Sequence, residues 1–173
     1  MARYYFDTSA LLKRDLREDH SAALIARVDH LIKDGHELFT SVLGAIEVER
    51  VRRRLVGLGA LDGPLQDSVA VDGLAVVPID DRTARTARWI GPDGLRNLDA
   101  IHLASAVVND ADVLVTYDER LSAVARAVGL LVESPGKDRS AGGQLQEVEP
   151  FKTEDSATSF ASHMSRKVLD EAQ

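Results

Sequence analysis

Arg3-Tyr4-Tyr5-Phe6-Asp7-Thr8-Ser9-Ala10-Leu11 opens the chain and decides how the rest is read. Arg3 to Phe6 reads as a short, aromatic-rich buried strand. Asp7 stands where that strand stops, and from Ser9 to Leu16 the pattern turns helical. A strand that hands over directly to a helix is the opening unit of a parallel α/β sheet.

The same alternation continues outward from this unit. His20 to Lys33 places Ala23, Leu24, Val28, Leu31 and Ile32 at helical spacing, and Gly35 ends that helix. Glu37 to Thr40 is a brief strand. Ser41 is a candidate N-cap for a helix carrying Val42, Leu43, Ile46, Val51 and Leu55, broken by Gly57 and Gly59. Leu61 to Val71 is a candidate short helix, and Leu74 to Ile79 a strand. Asp81 to Ile90 is a helix, followed by the loop Gly91-Pro92-Asp93-Gly94. Leu98 to Val108 is an apolar, alanine-rich helix. Val113 to Thr116 is a buried strand, Glu119 to Val128 a helix stopped by Gly129, and Leu130 to Val132 a last strand. The expected fold is α/β, with a central, mostly parallel sheet flanked by helices.

Four acids sit at the tips of hydrophobic runs. They are Asp7, Glu47 in Ala45-Ile46-Glu47-Val48, Asp99 in Leu98-Asp99-Ala100-Ile101-His102-Leu103-Ala104, and Asp118 in Val113-Leu114-Val115-Thr116-Tyr117-Asp118. A carboxylate beside a folded core is costly unless something pairs with it. Four of them suggest one shared partner of opposite charge, and hard divalent cations such as Mg²⁺ or Mn²⁺ take oxygen ligands of this kind. Asp7 and Asp118 follow strand ends, where open α/β sheets place their ligand sites. Each acid also has a plainer reading. Asp7 and Asp118 can cap the helices that follow them. Asp99 can be a charge favoured by the helix dipole, and Glu47 can belong to a solvent-facing stripe.

Composition narrows the classes. With 173 residues and 45% hydrophobic content, the chain can bury a real core. It has no cysteine, which excludes disulfides, thiolate zinc sites and cysteine nucleophiles. No signal peptide or bilayer-spanning stretch is evident, and a cytoplasmic, membrane-free protein is expected. The formal net charge of −7 argues against a simple nucleic-acid-binding module, which carries a basic footprint. A receiver domain also clusters acids at strand ends, but it needs a later lysine, and none occurs between Lys33 and Lys137.

With these residues placed, the chain resembles the PIN-domain ribonucleases, and within them the VapC toxins of bacterial toxin–antitoxin pairs. The resemblance covers roughly residues 2–135. It rests on Phe6-Asp7-Thr8-Ser9-Ala10-Leu11, Glu47-Val48-Glu49-Arg50, Leu95-Arg96-Asn97-Leu98-Asp99-Ala100-Ile101-His102-Leu103-Ala104 and Thr116-Tyr117-Asp118-Glu119-Arg120-Leu121, in that order. It implies a PIN-like three-layer fold over residues 1–135. It also implies a divalent-metal-dependent endoribonuclease of a type II toxin–antitoxin system, cleaving a tRNA or rRNA with Mg²⁺ or Mn²⁺. The acidic quartet falls on Asp7, Glu47, Asp99 and Asp118, with Asp7, Asp99 and Asp118 expected at the metal. Ser9 and Thr116 match supporting hydroxyl positions. Glu47 is preferred to Glu49 on the motif, and two residues apart on a helix the two side chains face different ways. A homodimer and a cognate antitoxin are the implied partners. The alternative is a non-catalytic protein-binding module whose acidic pocket receives a basic peptide.

Around the quartet, Arg50, Arg53 and Arg96 are candidate phosphate contacts, with Arg52 and Arg54 beside them. His102 is expected to be a packed histidine supporting the site, and Trp89 a core or dimer-surface residue. Neutralising one acid is expected to change metal binding more than folding, and to relieve like-charge repulsion. Residues 136–173 are polar and linker-like at Ser140-Ala141-Gly142-Gly143. They are expected to be disordered or to form an antitoxin-like segment on the domain, anchored by Phe151, Phe160, Val168 and Leu169, with Arg166 or Lys167 against the acidic pocket.

Overall fold

A computed structural model describes residues 1–16, 18–61 and 68–137. The tail reading, and most of the helix expected over residues 61–71, lie outside the described residues; residues 68–71 are not helical. Among the described residues, strands and helices alternate. They are β1 (Arg3–Phe6), α1 (Thr8–Asp15), α2 (Ser21–Lys33), β2 (Glu37–Ser41), α3 (Val42–Gly57), β3 (Ala75–Val77), α4 (Asp81–Ala87), α5 (Asn97–Val108), β4 (Val113–Val115), α6 (Glu119–Ala127) and β5 (Leu131–Glu133). The strands form one sheet in the order β3-β2-β1-β4-β5. All four pairings are parallel.

The strand order explains where a site can form. From β1 the chain steps outward through β2 to β3, then returns to lay β4 on the other side of β1. Tyr4, Tyr5 and Phe6 thereby pair with Val113, Leu114 and Val115. The order reverses between β1 and β4, and the loops leaving these two strands diverge to open a crevice at their carboxyl ends. Asp7 leaves β1 there, and Thr116 to Asp118 leave β4.

Strand alternation divides the core into two layers. Tyr4 and Phe6 pack with Leu11, Leu24, Val28, Leu31 and Val48 on one side of the sheet. Tyr5 packs with Phe39, Leu103, Ala106, Leu121 and Ala125 on the other. Helices α1, α2 and α3 therefore contribute to one layer, and α5 and α6 to the other. The expected strand over residues 74–79 is reduced to Ala75–Val77. It is an edge strand with exposed Ala75 and Val76, so less of it is held by pairing. Trp89 is 59% exposed, which corrects the core reading.

Gly44 sets how closely α3 approaches the sheet. A Cβ at this position would lie 2.6 Å from Thr40 Oγ1 and 2.9 Å from Leu11 Cδ1. Both neighbours are fully buried. The Thr40 hydroxyl is also engaged, donating to the Phe6 carbonyl at 2.8 Å. Helix propensity alone favours alanine over glycine by about 1 kcal/mol. Here the clash outweighs it, because neither neighbour has room to move. Gly44→Ala is expected to lower unfolding stability by about 1–3 kcal/mol, read by chemical denaturation; equal or greater stability would show that α3 can shift away from the sheet.

Candidate active site

The cleft at the carboxyl ends of β1 and β4 has a volume of about 380 Å³, and Asp7, Glu47, Asp99 and Asp118 all line it. Four segments far apart in sequence therefore deliver one carboxylate each to the same place. Thr8, Ser9, Arg96, Asn97 and His102 complete its polar wall, and Leu12 and Leu98 its apolar one. Glu49, by contrast, is exposed elsewhere on α3.

Asp7 is the N-cap of α1, with Oδ1 accepting from the Ala10 amide at 2.9 Å. Its Oδ2 accepts from the Thr116 hydroxyl at 2.6 Å, and Ser9 Oγ lies 2.7 Å and 3.0 Å from the two oxygens. Burial still raises its carboxyl above the ordinary range, against the pull of these bonds and of His102. Ser9 and Thr116 also tie the two strand ends together. Ser9 Oγ accepts from the Tyr117 amide at 2.8 Å, and Thr116 Oγ1 from the Asp118 amide at 3.1 Å. Asp118 caps α6, with Oδ1 accepting from the Arg120 and Leu121 amides at 2.8 Å and 3.1 Å. The capping reading and the site reading of Asp7 and Asp118 thus both hold.

Asp99 differs from these. Its Oδ2 is buried and has no hydrogen-bond partner among the described residues. Burial raises its carboxyl, the Asp118 and Glu47 charges raise it further, and Arg96 and His102 oppose them. An orphaned carboxylate oxygen facing other acids is what a cation site looks like to the protein alone. Among the described residues, no group of three or more His, Cys, Asp or Glu side chains is placed to hold a metal ion by itself. Mg²⁺ does not require a closed cage, because it keeps several waters and binds through one or two carboxylates.

Glu47 sits in a different environment. Its Oε2 accepts from His102 Nε2 at 2.8 Å and from the Thr8 hydroxyl. Burial works to raise its carboxyl, but these hydrogen bonds prevail and hold it below the ordinary value. The other ring nitrogen, His102 Nδ1, is 2.8 Å from the Tyr5 hydroxyl. Thr8 and Tyr5 were not among the residues that the sequence singled out. Thr8 reads there as the first residue of a helix, and Tyr5 as one more buried aromatic.

The arginines divide. Arg96 lines the cleft at the start of α5. Arg50 and Arg53 are exposed on α3, and neither is part of the lining. Arg52 is buried and ion-paired with Asp15, whose side chain is 1% exposed, so it is a structural residue and not a phosphate contact.

A family model described as "PIN domain" matches residues 4–127. "Ribonuclease VapC47" of Mycobacterium tuberculosis (strain CDC 1551 / Oshkosh) is 36% identical over 137 residues, covering 78% of this chain and 98% of that protein. "Ribonuclease VapC46" of strain ATCC 25618 / H37Rv is 34% identical, covering 78% and 99%. Among solved structures, PAE2754 from Pyrobaculum aerophilum aligns with a TM-score of 0.52 at 25% identity, covering 76% of this chain and 83% of that one. A chain of VapBC2 from Rickettsia felis, bound to a DNA fragment from their promoter, aligns with a TM-score of 0.56 at 14% identity, covering 76% and 97%. That second likeness speaks for the fold alone.

The raised Asp99 carboxyl gives a pH prediction. Its folded value lies above its unfolded one, so its contribution to stability is full at low pH and is lost as pH rises through the folded value. At pH 7 without metal, Asp99→Asn should therefore raise Tm, by no more than roughly 4 °C because the group is only partly buried. The gain should shrink as pH falls through the raised folded value and be gone once the carboxyl is protonated in both the folded and the unfolded chain. A Tm that is lower in the variant at pH 7, or a gap independent of pH, would contradict the like-charge account.

Proposed function

The chain belongs to the PIN-domain family, in its VapC-type branch, and from that membership we propose that it is a divalent-metal-dependent endoribonuclease, the toxin of a type II toxin–antitoxin pair. The observation that carries this reading is the convergence of Asp7, Glu47, Asp99 and Asp118 on one cleft, with Asp99 Oδ2 left unpaired among the described residues. The substrate class is structured cellular RNA, a tRNA or an rRNA. The partners are a second copy of the chain and a cognate antitoxin.

Asp99 and Asp118 would hold Mg²⁺ or Mn²⁺, with Asp7 behind them. Asp118 has one oxygen outside its capping bonds. Both oxygens of Asp7 accept hydrogen bonds, so it fixes the negative wall of the site. A bound divalent ion supplies a Lewis acid for the phosphoryl oxygen and a water of lowered pKa. Glu47, held ionised by Thr8 and His102, accepts a hydrogen bond from the attacking water and aims it. Arg96, at the rim, neutralises a substrate phosphate and steadies the approach of an anion to an acidic pocket. Arg50 and Arg53, farther along α3, suit flanking phosphates. These contacts position the RNA but do not read its sequence.

The test is cleavage of total cellular RNA by the full-length protein with Mg²⁺ or Mn²⁺, beside Asp99→Asn and Arg96→Ala. Cleavage that is abolished by EDTA, reduced at least about 100-fold by Asp99→Asn, and shifted mainly in KM by Arg96→Ala supports the reading. A folded protein that cuts no RNA, or whose Asp99→Asn variant cuts as well as wild type, leaves the acidic pocket as a binding site for a basic partner.

A further inference from the structure

Behind Glu47 a buried chain of hydrogen bonds runs across the sheet. Ser41 Oγ lies 2.9 Å from the Tyr5 hydroxyl, which lies 2.8 Å from His102 Nδ1, and His102 Nε2 lies 2.8 Å from Glu47 Oε2. Thr8 donates to the same Glu47 oxygen. Tyr5 and Ser41 are fully buried and His102 is 3% exposed. None of the three touches the space where a substrate would react except through the inner edge of the imidazole.

We propose that His102 is a positioning residue for Glu47: its ring is fixed by the Tyr5 hydroxyl at Nδ1, and its Nε2–H holds Glu47 Oε2 so that Oε1 alone faces the reaction. This rests on the nuclease reading above and specifies how one of its acids works.

The chemistry supports the assignment in three ways. First, an ionised carboxylate only accepts hydrogen bonds, so the nitrogen facing Glu47 must carry a proton in either ionisation state of the ring. A donor is therefore always presented at Nε2. Second, the ring cannot turn away. Tyr5 packs edge-on against it at 5.9 Å, and Phe39 braces Tyr5 edge-on at 5.4 Å. Burial keeps the Tyr5 hydroxyl protonated, so it remains a partner for Nδ1 at any working pH. Third, the lone pairs of Glu47 are divided. Oε2 takes both Thr8 and His102, whereas Oε1 accepts no hydrogen bond among the described residues. A free glutamate on a helix samples several rotamers. Here two donors from two different elements, α1 and α5, select one.

A histidine in an apolar helix is otherwise explained by packing alone. The two roles separate in a comparison of His102→Gln with His102→Asn in the full-length protein. The glutamine amide reaches the Nε2 position and keeps a donor for Glu47; the asparagine amide reaches only the Nδ1 position. A packing role lowers stability, more for asparagine because it leaves the larger void, and its loss persists without Glu47; a positioning role is read in kcat and vanishes with Glu47. The substrate is an oligonucleotide carrying the cut site mapped on total cellular RNA. His102→Asn should lower kcat by about 10–100-fold with KM and Mn²⁺ affinity little changed, and His102→Gln should recover about tenfold of that loss. In a Glu47→Ala background, adding His102→Asn should cost nothing further. Equal activity of the two variants, a loss confined to KM, or the same fold loss in the Glu47→Ala background would overturn the proposal. Failure of the underlying reading looks different: wild type would then be silent on cellular RNA, or Asp99→Asn would cut as well as wild type.

Discussion

The reversal of strand order between β1 and β4 is the constraint on which the rest of the structure depends. Parallel strands send all their carboxyl ends to one edge, and only at a reversal do neighbouring connections part to leave room for a ligand. Asp7 and Asp118 leave β1 and β4 at that point. Both side chains cap the helices they precede, which fixes them while leaving their negative charge on the cleft. Asp99 and Glu47 then approach from α5 and α3. The close approach of α3 requires Gly44, whose missing Cβ leaves room for Thr40 and Leu11.

The cost of this arrangement is concentrated at the same edge. Burial without a counterion raises a carboxyl pKa, and Asp7 and Asp99 are both raised in this way. The protein satisfies Asp7 internally, through Thr116, Ser9 and the Ala10 amide. It stabilises Glu47 through His102 and Thr8. Asp99 has no such provision at Oδ2. The difference sorts four chemically similar groups: Asp7 and Glu47 are held by hydrogen bonds from the fold, whereas Asp99 Oδ2 and the second oxygen of Asp118 are left for something else. A cation is the simplest occupant, and an acidic chain of net charge −7 has few others to offer locally beyond Arg96.

Much of this was legible in the sequence, for identifiable reasons. The aromatic run ending at Asp7 marks a buried strand, and two-residue alternation places Tyr4 and Phe6 on one layer and Tyr5 on the other. Elements with strong periodicity, such as Ser21–Lys33 and Asn97–Val108, fall within a residue of their expected bounds. Edges were less legible. Ala75–Val77 is shorter than its apolar run, because an edge strand is paired on one side only. The four acids could be found because carboxylates at the ends of apolar runs are rare. The partners of Glu47 could not, since a tyrosine in a strand, a threonine opening a helix and a histidine in an apolar stretch each look ordinary. Only their meeting in space gives them a role. Arg52 is the converse case: in an arginine run it reads as solvated or RNA-facing, yet burial against Asp15 takes it out of reach.

The most direct measurement of the central claim, that this edge is a cation site completed by Asp99, is isothermal titration of Mn²⁺ into the full-length protein in the absence of RNA, repeated with Asp99→Asn and Asp118→Asn. The account predicts saturable binding to wild type that is lost or weakened at least about tenfold by either substitution. Binding that is absent from a folded wild-type protein, or that is identical in all three, would contradict it.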